Sequence, residues 1–271
     1  MRDNNLILVR GAGDIATGTI QKLVRAGFLV LATETDFPSA IRRQVALSEA
    51  VYEGSWKVED ITGVRVESIM EAYHVMNSGQ VAIMIDPSCK LLAQLQPLVV
   101  IDAILAKKNL GTKREMAPIT IALGPGFVAG EDVNVVIETM RGHNLGRLIF
   151  EGSALPNTGV PGMIEGMGRE RVIHAPVSGI VRNRAAISDT IEKGQIIAEI
   201  DGHPVTSSID GILRGLIRDG HQVPKGFKIA DIDPRDSERE NCFTISDKAR
   251  CIGGSVLEAI LLLRKTTSYL F

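Results

Sequence analysis

The 271 residues include 30 lysines and arginines against 32 aspartates and glutamates, a formal charge of −2, so the chain lacks the basic excess on which nucleic-acid binding rests. With 45% apolar residues it is no intrinsically disordered polymer, and its length suits two compact units, each with its own core. The cysteines Cys89, Cys242 and Cys251 are odd in number and far apart, which argues against a disulfide framework or a zinc knuckle, and each is expected as a reduced thiol.

The apolar start of MRDNNLILVRG is too short for a signal peptide, and no later run supplies the roughly 20 apolar residues that cross a bilayer. The expectation is a cytoplasmic protein with neither nucleic-acid nor membrane partners. Residues 5–10 (NLILVR) read as a buried strand, the glycines that follow as a turn, and Ile15, Ile20, Leu23 and Val24 as the apolar stripe of a helix ending near Gly27. FLVLATE, 28–34, is a second strand. Strand, turn, helix and strand make a βαβ unit, whose parallel strands call for an α/β sheet.

Within that turn Gly11, Gly13 and Ala16 fit the G-x-G-x-x-[GA] fingerprint of dinucleotide binding. Gly11 allows the tight turn, Gly13 a close approach of ligand to backbone, and Ala16 close packing of helix on strand. Glu34 or Asp36, after the second strand, stands where an acceptor for a ribose hydroxyl belongs. Asp14 competes with a pyrophosphate for the same helix amides, and Arg10 is placed to pair with Asp14 or with a bound anion. Nucleotide or other anion binding and a purely structural glycine turn both remain open.

The next stretch, 32–54, predicts a helix starting near Pro38, with Arg42 and Arg43 facing different sides and one of them available to an anion or partner. Apolar runs at 81–85, 98–105, 119–123, 133–140 and 146–150 suit buried central strands. Asp102, inside one of these runs, needs a partner, for which Lys107 and Lys108 are the nearest cations. Gly124 and Gly126, at the end of another, allow a ligand near the backbone and form the expected far wall of a pocket. His143 is a candidate acid or base, with a hydrogen-bonding turn residue as the plainer reading.

From 152 to 170 the composition turns rich in glycine and proline, as in a connecting or ligand-covering loop. An internal repeat follows: residues 175–201 align without gaps on 207–233, pairing Gly179 with Gly211, Gly194 with Gly226 and Asp201 with Asp233. Neither copy can bury its apolar face alone, so the two are expected to interlock as a small β-sandwich. The pattern resembles the biotinyl/lipoyl barrel-sandwich hybrid. The turn between the halves, Asp201 to Val205, contains no lysine for a carrier group. At the end, Val256, Leu257, Ile260, Leu261 and Leu263 form the apolar face of a helix expected to pack on the α/β domain, and Cys251 is placed just ahead of it.

The fold class is therefore α/β: a Rossmann-like domain over 1–150, a connector over 151–172, an all-β barrel-sandwich module over 173–236, and a C-terminal segment and helix over 237–271. The stretches VRGAGDIATGTIQKLVRAGF, IRRQVALSEAVYEG, LGPGFVAGEDVNVVIETMRGHNLGR, GSALPNTGVPG and CFTISDKARCIGGSVLEAIL resemble the YqeB family of selenium-dependent molybdenum hydroxylase system proteins. That resemblance implies an accessory or maturation protein whose partners are a molybdenum hydroxylase subunit or other maturation proteins. It also implies that the Gly11–Gly13 turn, with Gly124 and Gly126, holds a nucleotide or a molybdenum cofactor. The family carries no agreed catalytic residue onto this sequence. Two alternatives stand beside it: an NAD(P)-dependent oxidoreductase, with His143 or a lysine as acid or base, and a non-catalytic docking protein.

Overall fold

The computed structural model describes residues 3–159 and 162–267; two residues of the expected connector, 160 and 161, and the chain ends fall outside it. The chain divides into two compact units. One comprises Met1–Pro38, Ala46–Asn157 and Ile245–Phe271, and the other Ser39–Val45 and Thr158–Thr244.

The first unit is built on a nine-stranded sheet. Its elements are β1 (Asp3–Arg10), α1 (Asp14–Arg25), β2 (Leu29–Glu34), α2 (Ala50–Glu53), β3 (Ser55–Val58), β4 (Ile61–Arg65), α3 (Ile69–Asn77), β5 (Val81–Ile85), β6 (Pro97–Asp102), β7 (Ile119–Leu123), β8 (Val135–Ile137) and β9 (Leu148–Ile149). The strand order is β3-β4-β5-β2-β1-β6-β7-β8-β9, parallel from β4 to β8, with antiparallel β3 and β9 at the edges. Leu6 to Val9 of β1 have no exposed surface, because a central parallel strand is covered on both faces and its middle is a run of apolar residues. The chain builds outward from β1 through β2 to β5, then returns to lay β6 on the other side. The order thus reverses between β1 and β6.

The helix expected near Pro38 and the strand expected over 98–105 need correction here. No helix begins at Pro38; Arg43–Val45 and Leu47–Glu49 are 3-10 turns, and only the four residues of α2 are α-helical. The apolar run 98–105 stops being strand at Asp102, after which Leu105 and Lys107 take positive φ of 59° and 62° and turn the chain away. The helix α3 lies outside the apolar runs, and Ser68 caps it by accepting the Glu71 N–H at 3.2 Å, the S-x-x-E signal of a helix start.

The C-terminal helix α4 (Asp247–Thr267) packs across α1. Small residues set the distance: a Cβ on Gly253 would lie 2.6 Å from the Gly18 carbonyl oxygen, and one on Gly18 would lie 2.7 Å from the Ala249 Cβ. Cys251 falls within the helix rather than ahead of it, so it does not occupy the helix N-terminus expected from the sequence.

The second unit contains β10 (Val172–His174), β11 (Gly179–Asn183), β12 (Thr190–Ile191), β13 (Ile196–Ile200), β14 (His203–Thr206), β15 (Gly211–Leu216), β16 (Gln222–Val223) and β17 (Lys228–Asp233). They form two antiparallel four-stranded sheets, β10-β17-β15-β12 and β14-β13-β11-β16, around a core that includes Val181, Ile191, Ile197, Leu213 and Ile232. The first sheet takes β15 and β17 from the second copy and β12 from the first, and the other takes β11 and β13 from the first copy and β16 from the second, so neither copy completes a sheet alone. Gly179 and Gly211 are equivalent: a Cβ on the first would lie 2.3 Å from Asp201 Oδ2, and on the second 2.3 Å from the Asp233 carbonyl oxygen.

Candidate functional site

The strand order reverses between β1 and β6, and the carboxyl ends of the strands at such a reversal are where open parallel sheets take their ligands. Gly11 lies there at φ 91°, its N–H donating to Thr33 O at 2.8 Å, and a Cβ on it would press on the Ala103 carbonyl at 3.1 Å. Gly13, the N-cap of α1, has an ordinary φ of −65°, and a Cβ there would meet nothing within 4 Å. Backbone strain therefore explains Gly11 but not Gly13. No side chain caps α1, which leaves the N–H groups of Asp14, Ile15 and Ala16 without intrahelical acceptors. Ala16 is fully buried and lets the helix approach the sheet.

Glu34, at the end of β2, bends back onto this turn. Its Oε1 accepts the Ala12 N–H at 2.7 Å and its Oε2 accepts the Thr35 N–H at 3.0 Å. Burial pushes its carboxyl up, against the pull of those two hydrogen bonds. Asp36 stands exposed on the loop beyond.

Arg10 does not reach for an anion through an open side chain. It is buried, pairs with Asp102 Oδ2 at 3.4 Å, and donates to the Thr112 hydroxyl and to the carbonyls of Pro87 (3.1 Å) and Leu110 (3.2 Å). The partner of Asp102 is thus Arg10, one strand away, together with the Thr112 hydroxyl at 2.5 Å, and not Lys107 or Lys108. Burial pushes the Asp102 carboxyl up, while Thr112 and Arg10 oppose that shift. Buried Cys89 sits beside the same group, with Sγ 3.7 Å from Thr33 Oγ1. Burial raises its thiol pKa and the Arg10 guanidinium pulls it down.

The glycines after β7 answer to chain packing. A Cβ on Gly124 would lie 2.5 Å from Thr139 Oγ1, and one on Gly126 would lie 2.6 Å from the Lys108 backbone. Neighbouring protein fills the space their side chains would need. Glu138 is buried with its oxygens accepting the Met140 and Leu155 N–H groups, and it borders a groove of about 370 Å³ beside β9. His143 is exposed in the turn before β9. Arg42 donates to the carbonyls of Asn241 and Thr244, and Arg43 to Leu216 O, so both serve backbone acceptors within the second unit.

Sequence reasoning passed over Lys248, in the first turn of α4. The α1–α4 crossing brings it into the field of Asp14, Asp247, Glu138 and Arg141. No local spacing links residue 248 to residue 14, and only the helix crossing does. Among the described residues no cluster of three histidine, cysteine or acidic side chains could hold a metal ion, and no helix is long and apolar enough to cross a membrane.

No protein-family model matches the chain. A curated protein of Escherichia coli (strain K12), "Uncharacterized protein YqeB", is 49% identical over 260 residues, which is 96% of this chain. This chain is a YqeB homologue. It spans about half of that relative, 48% of its length. Solved structures with overlapping shape include an aspartoacylase family protein from Mesorhizobium loti, 12% identical over 85% of both chains at a TM-score of 0.28. Another is the ectoine utilization protein EutE (DoeB) from Ruegeria pomeroyi in its apo form, 10% identical over 85% of this chain and 86% of that one, at 0.24. Likeness at these scores assigns neither fold nor activity to a YqeB homologue.

Proposed function

We propose that the chain is an accessory protein of a selenium-dependent molybdenum hydroxylase, binding a nucleotide or a nucleotide-bearing molybdenum cofactor at the Gly11–Gly13 turn. The observation that carries the site is Gly13: it has no conformational need for glycine, faces open space, and lies at the strand-order reversal of a sheet we read as Rossmann-like. The residues present fit a diphosphate there, since α1 has no side-chain cap and its first turn points the positive end of the helix toward an anion. Such a cofactor brings its own molybdenum chemistry; the chain's residues would bind and orient its phosphates. Arg10 and Asp102 fix the strand ends behind the turn. The motif resemblance to hydroxylase system proteins supports the accessory role, and we read the second unit as a barrel-sandwich hybrid used for docking a hydroxylase subunit or another maturation protein in the cytoplasm.

The test is calorimetric titration of the full chain with NAD, ADP and a molybdopterin dinucleotide. Binding of the molybdopterin dinucleotide that is lost in Gly13→Asp is the expected result. Tight binding of NAD alone would favour an NAD(P)-dependent oxidoreductase. Capture of a hydroxylase subunit that survives Gly13→Asp, with no small molecule bound by the parent protein, would favour a docking protein.

A further inference from the structure

At one edge of the nine-stranded sheet the chain folds back on itself around a groove. Strand β9 pairs with β8, Ile137 opposite Leu148 and Val136 opposite Ile149, and among the described residues no backbone hydrogen bond covers its other side. Past β9 the Ala129 N–H donates to Gly152 O at 2.7 Å, and Gly152, at φ 83°, turns the chain. Three residues later the Leu155 N–H donates to Glu138 Oε2 at 2.8 Å, and Arg147 O accepts the Glu138 N–H at 2.9 Å. The chain has therefore returned by Leu155 to the level where β9 began, with buried Glu138 as the pin. Both limbs of this return line a groove of about 370 Å³.

Leu148, Phe150 and Leu155 give the groove apolar wall, and Phe150 and Leu155 are 46% and 47% exposed. Two opposite charges mark its length. Arg147 stands just before β9 and Glu151 two residues after it, both exposed, and neither side chain has a hydrogen-bond or ion-pair partner among the described residues. Four residues of chain put them at most about 14 Å apart, a span that an extended peptide of three or four residues can bridge end to end.

We propose that this groove binds a short free peptide of about three or four residues, with its carboxylate on Arg147, its ammonium on Glu151 and its apolar side chains against Leu148, Phe150 and Leu155. A guanidinium receives a carboxylate through two parallel hydrogen bonds. So placed, the peptide runs antiparallel to β9, a direction in which an added strand bonds the open edge of a sheet. The groove has the volume of a small-ligand site, too small for a folded partner. A segment inside a protein would carry neither terminal charge, so the charge pair selects a free peptide. The proposal is independent of the nucleotide reading, since no residue of the Gly11–Gly13 turn takes part.

The test is an amide NMR titration of the full chain with alanyl-leucyl-alanine in four forms: free at both ends, N-acetylated, C-amidated and blocked at both. The free peptide is expected to bind saturably and to shift amides between residues 144 and 155. Amidation should weaken binding to the parent protein about tenfold, and Arg147→Ala should weaken the free peptide equally while leaving the amidated one within about twofold. Glu151→Gln should discriminate in the same way between the free and the acetylated peptide. Melting temperature checks that each variant is folded, and a merely structural side chain would change all four forms alike. The proposal is wrong if the doubly blocked peptide binds as tightly as the free one, or if the variants weaken every form equally. It is also wrong if no saturable shift appears by about 10 mM peptide. None of these outcomes bears on the titration with NAD, ADP and a molybdopterin dinucleotide.

Discussion

Arg10 and Asp102 are register partners on the adjacent parallel strands β1 and β6, and their side chains, each 3% exposed, form an ion pair at 3.4 Å. Two charges thus meet inside the sheet where its strand order reverses. Through Pro87 O and Leu110 O the same guanidinium ties the loops after β5 and β6. Removing one partner leaves the other charge buried and uncompensated, so Asp102→Ala should cost about 3–5 kcal/mol in urea unfolding. The double variant Arg10→Met with Asp102→Leu should lose clearly less than the two single losses together. Strictly additive losses would show that the pair does not act as a unit.

The helix crossing offers a comparison between neighbours. Gly253 is buried at the α1–α4 contact, whereas Gly254 is exposed and a Cβ there meets nothing within 4 Å. Gly253→Ala should destabilise the protein by about 1–3 kcal/mol, because the backbone of α1 must move. Gly254→Ala should stabilise it by about 0.5–1 kcal/mol through helix propensity alone. Equal responses to the two substitutions would mean that the helices do not approach as closely as this.

Two of the proposed ligand-site glycines should separate in the same way. Gly126→Ala, at φ 108° and facing the Lys108 backbone at 2.6 Å, is expected to lower stability by about 1–3 kcal/mol. Gly13→Ala, at an ordinary φ and facing open space, should cost only about 1 kcal/mol or less as an N-cap change, and show its effect in ligand titration instead. Thermal unfolding of both variants checks the first half of this statement, and titration with NAD, ADP and a molybdopterin dinucleotide checks the second.

Asp60 supplies a pH prediction. Hydrogen bonds from Arg25 at 2.7 and 2.8 Å hold its carboxyl at about 2. A depressed value in the folded state stabilises the fold above the ordinary carboxylate pKa, and that contribution is lost as pH falls through about 2. Both side chains are nearly half exposed, at 47% and 48%, so solvent and salt screen the pair. Asp60→Asn should therefore lower the melting temperature by only about 1–2 °C at neutral pH and low salt. Melting curves in about 1 M salt should show that gap closed; a gap independent of salt would assign the loss to something other than charge.

Much of the architecture is legible in local patterns. The strands at 81–85 and 119–123 match their runs residue for residue, because a strand covered on both faces is predominantly apolar. The repeat is visible as paired glycines, since Gly179 and Gly211 each pass close to the equivalent aspartate of their own copy. Local composition also marks the Gly11–Gly13 turn, where the backbone need falls on Gly11 alone. What it does not contain is the partner of any charge. Asp102 finds Arg10, 92 residues earlier, because two strands distant in sequence lie side by side in the sheet. Gly124 and Gly126 look like ligand-facing glycines in the sequence, and the fold instead fills their space with Thr139 and Lys108. Lys248 and Asp14, far apart in sequence, come within electrostatic range only because Gly18, Ala249 and Gly253 allow α4 to cross α1 at close range. The sequence by itself determined the central strands, the glycine turn and helix after β1, and the repeat, through apolar periodicity and backbone freedom, but not the turns after Pro38 or the bounds of α4. The tertiary structure alone decided which charges neutralise one another and which glycine stays open, since pairing depends on proximity in space and burial makes each unpaired charge costly.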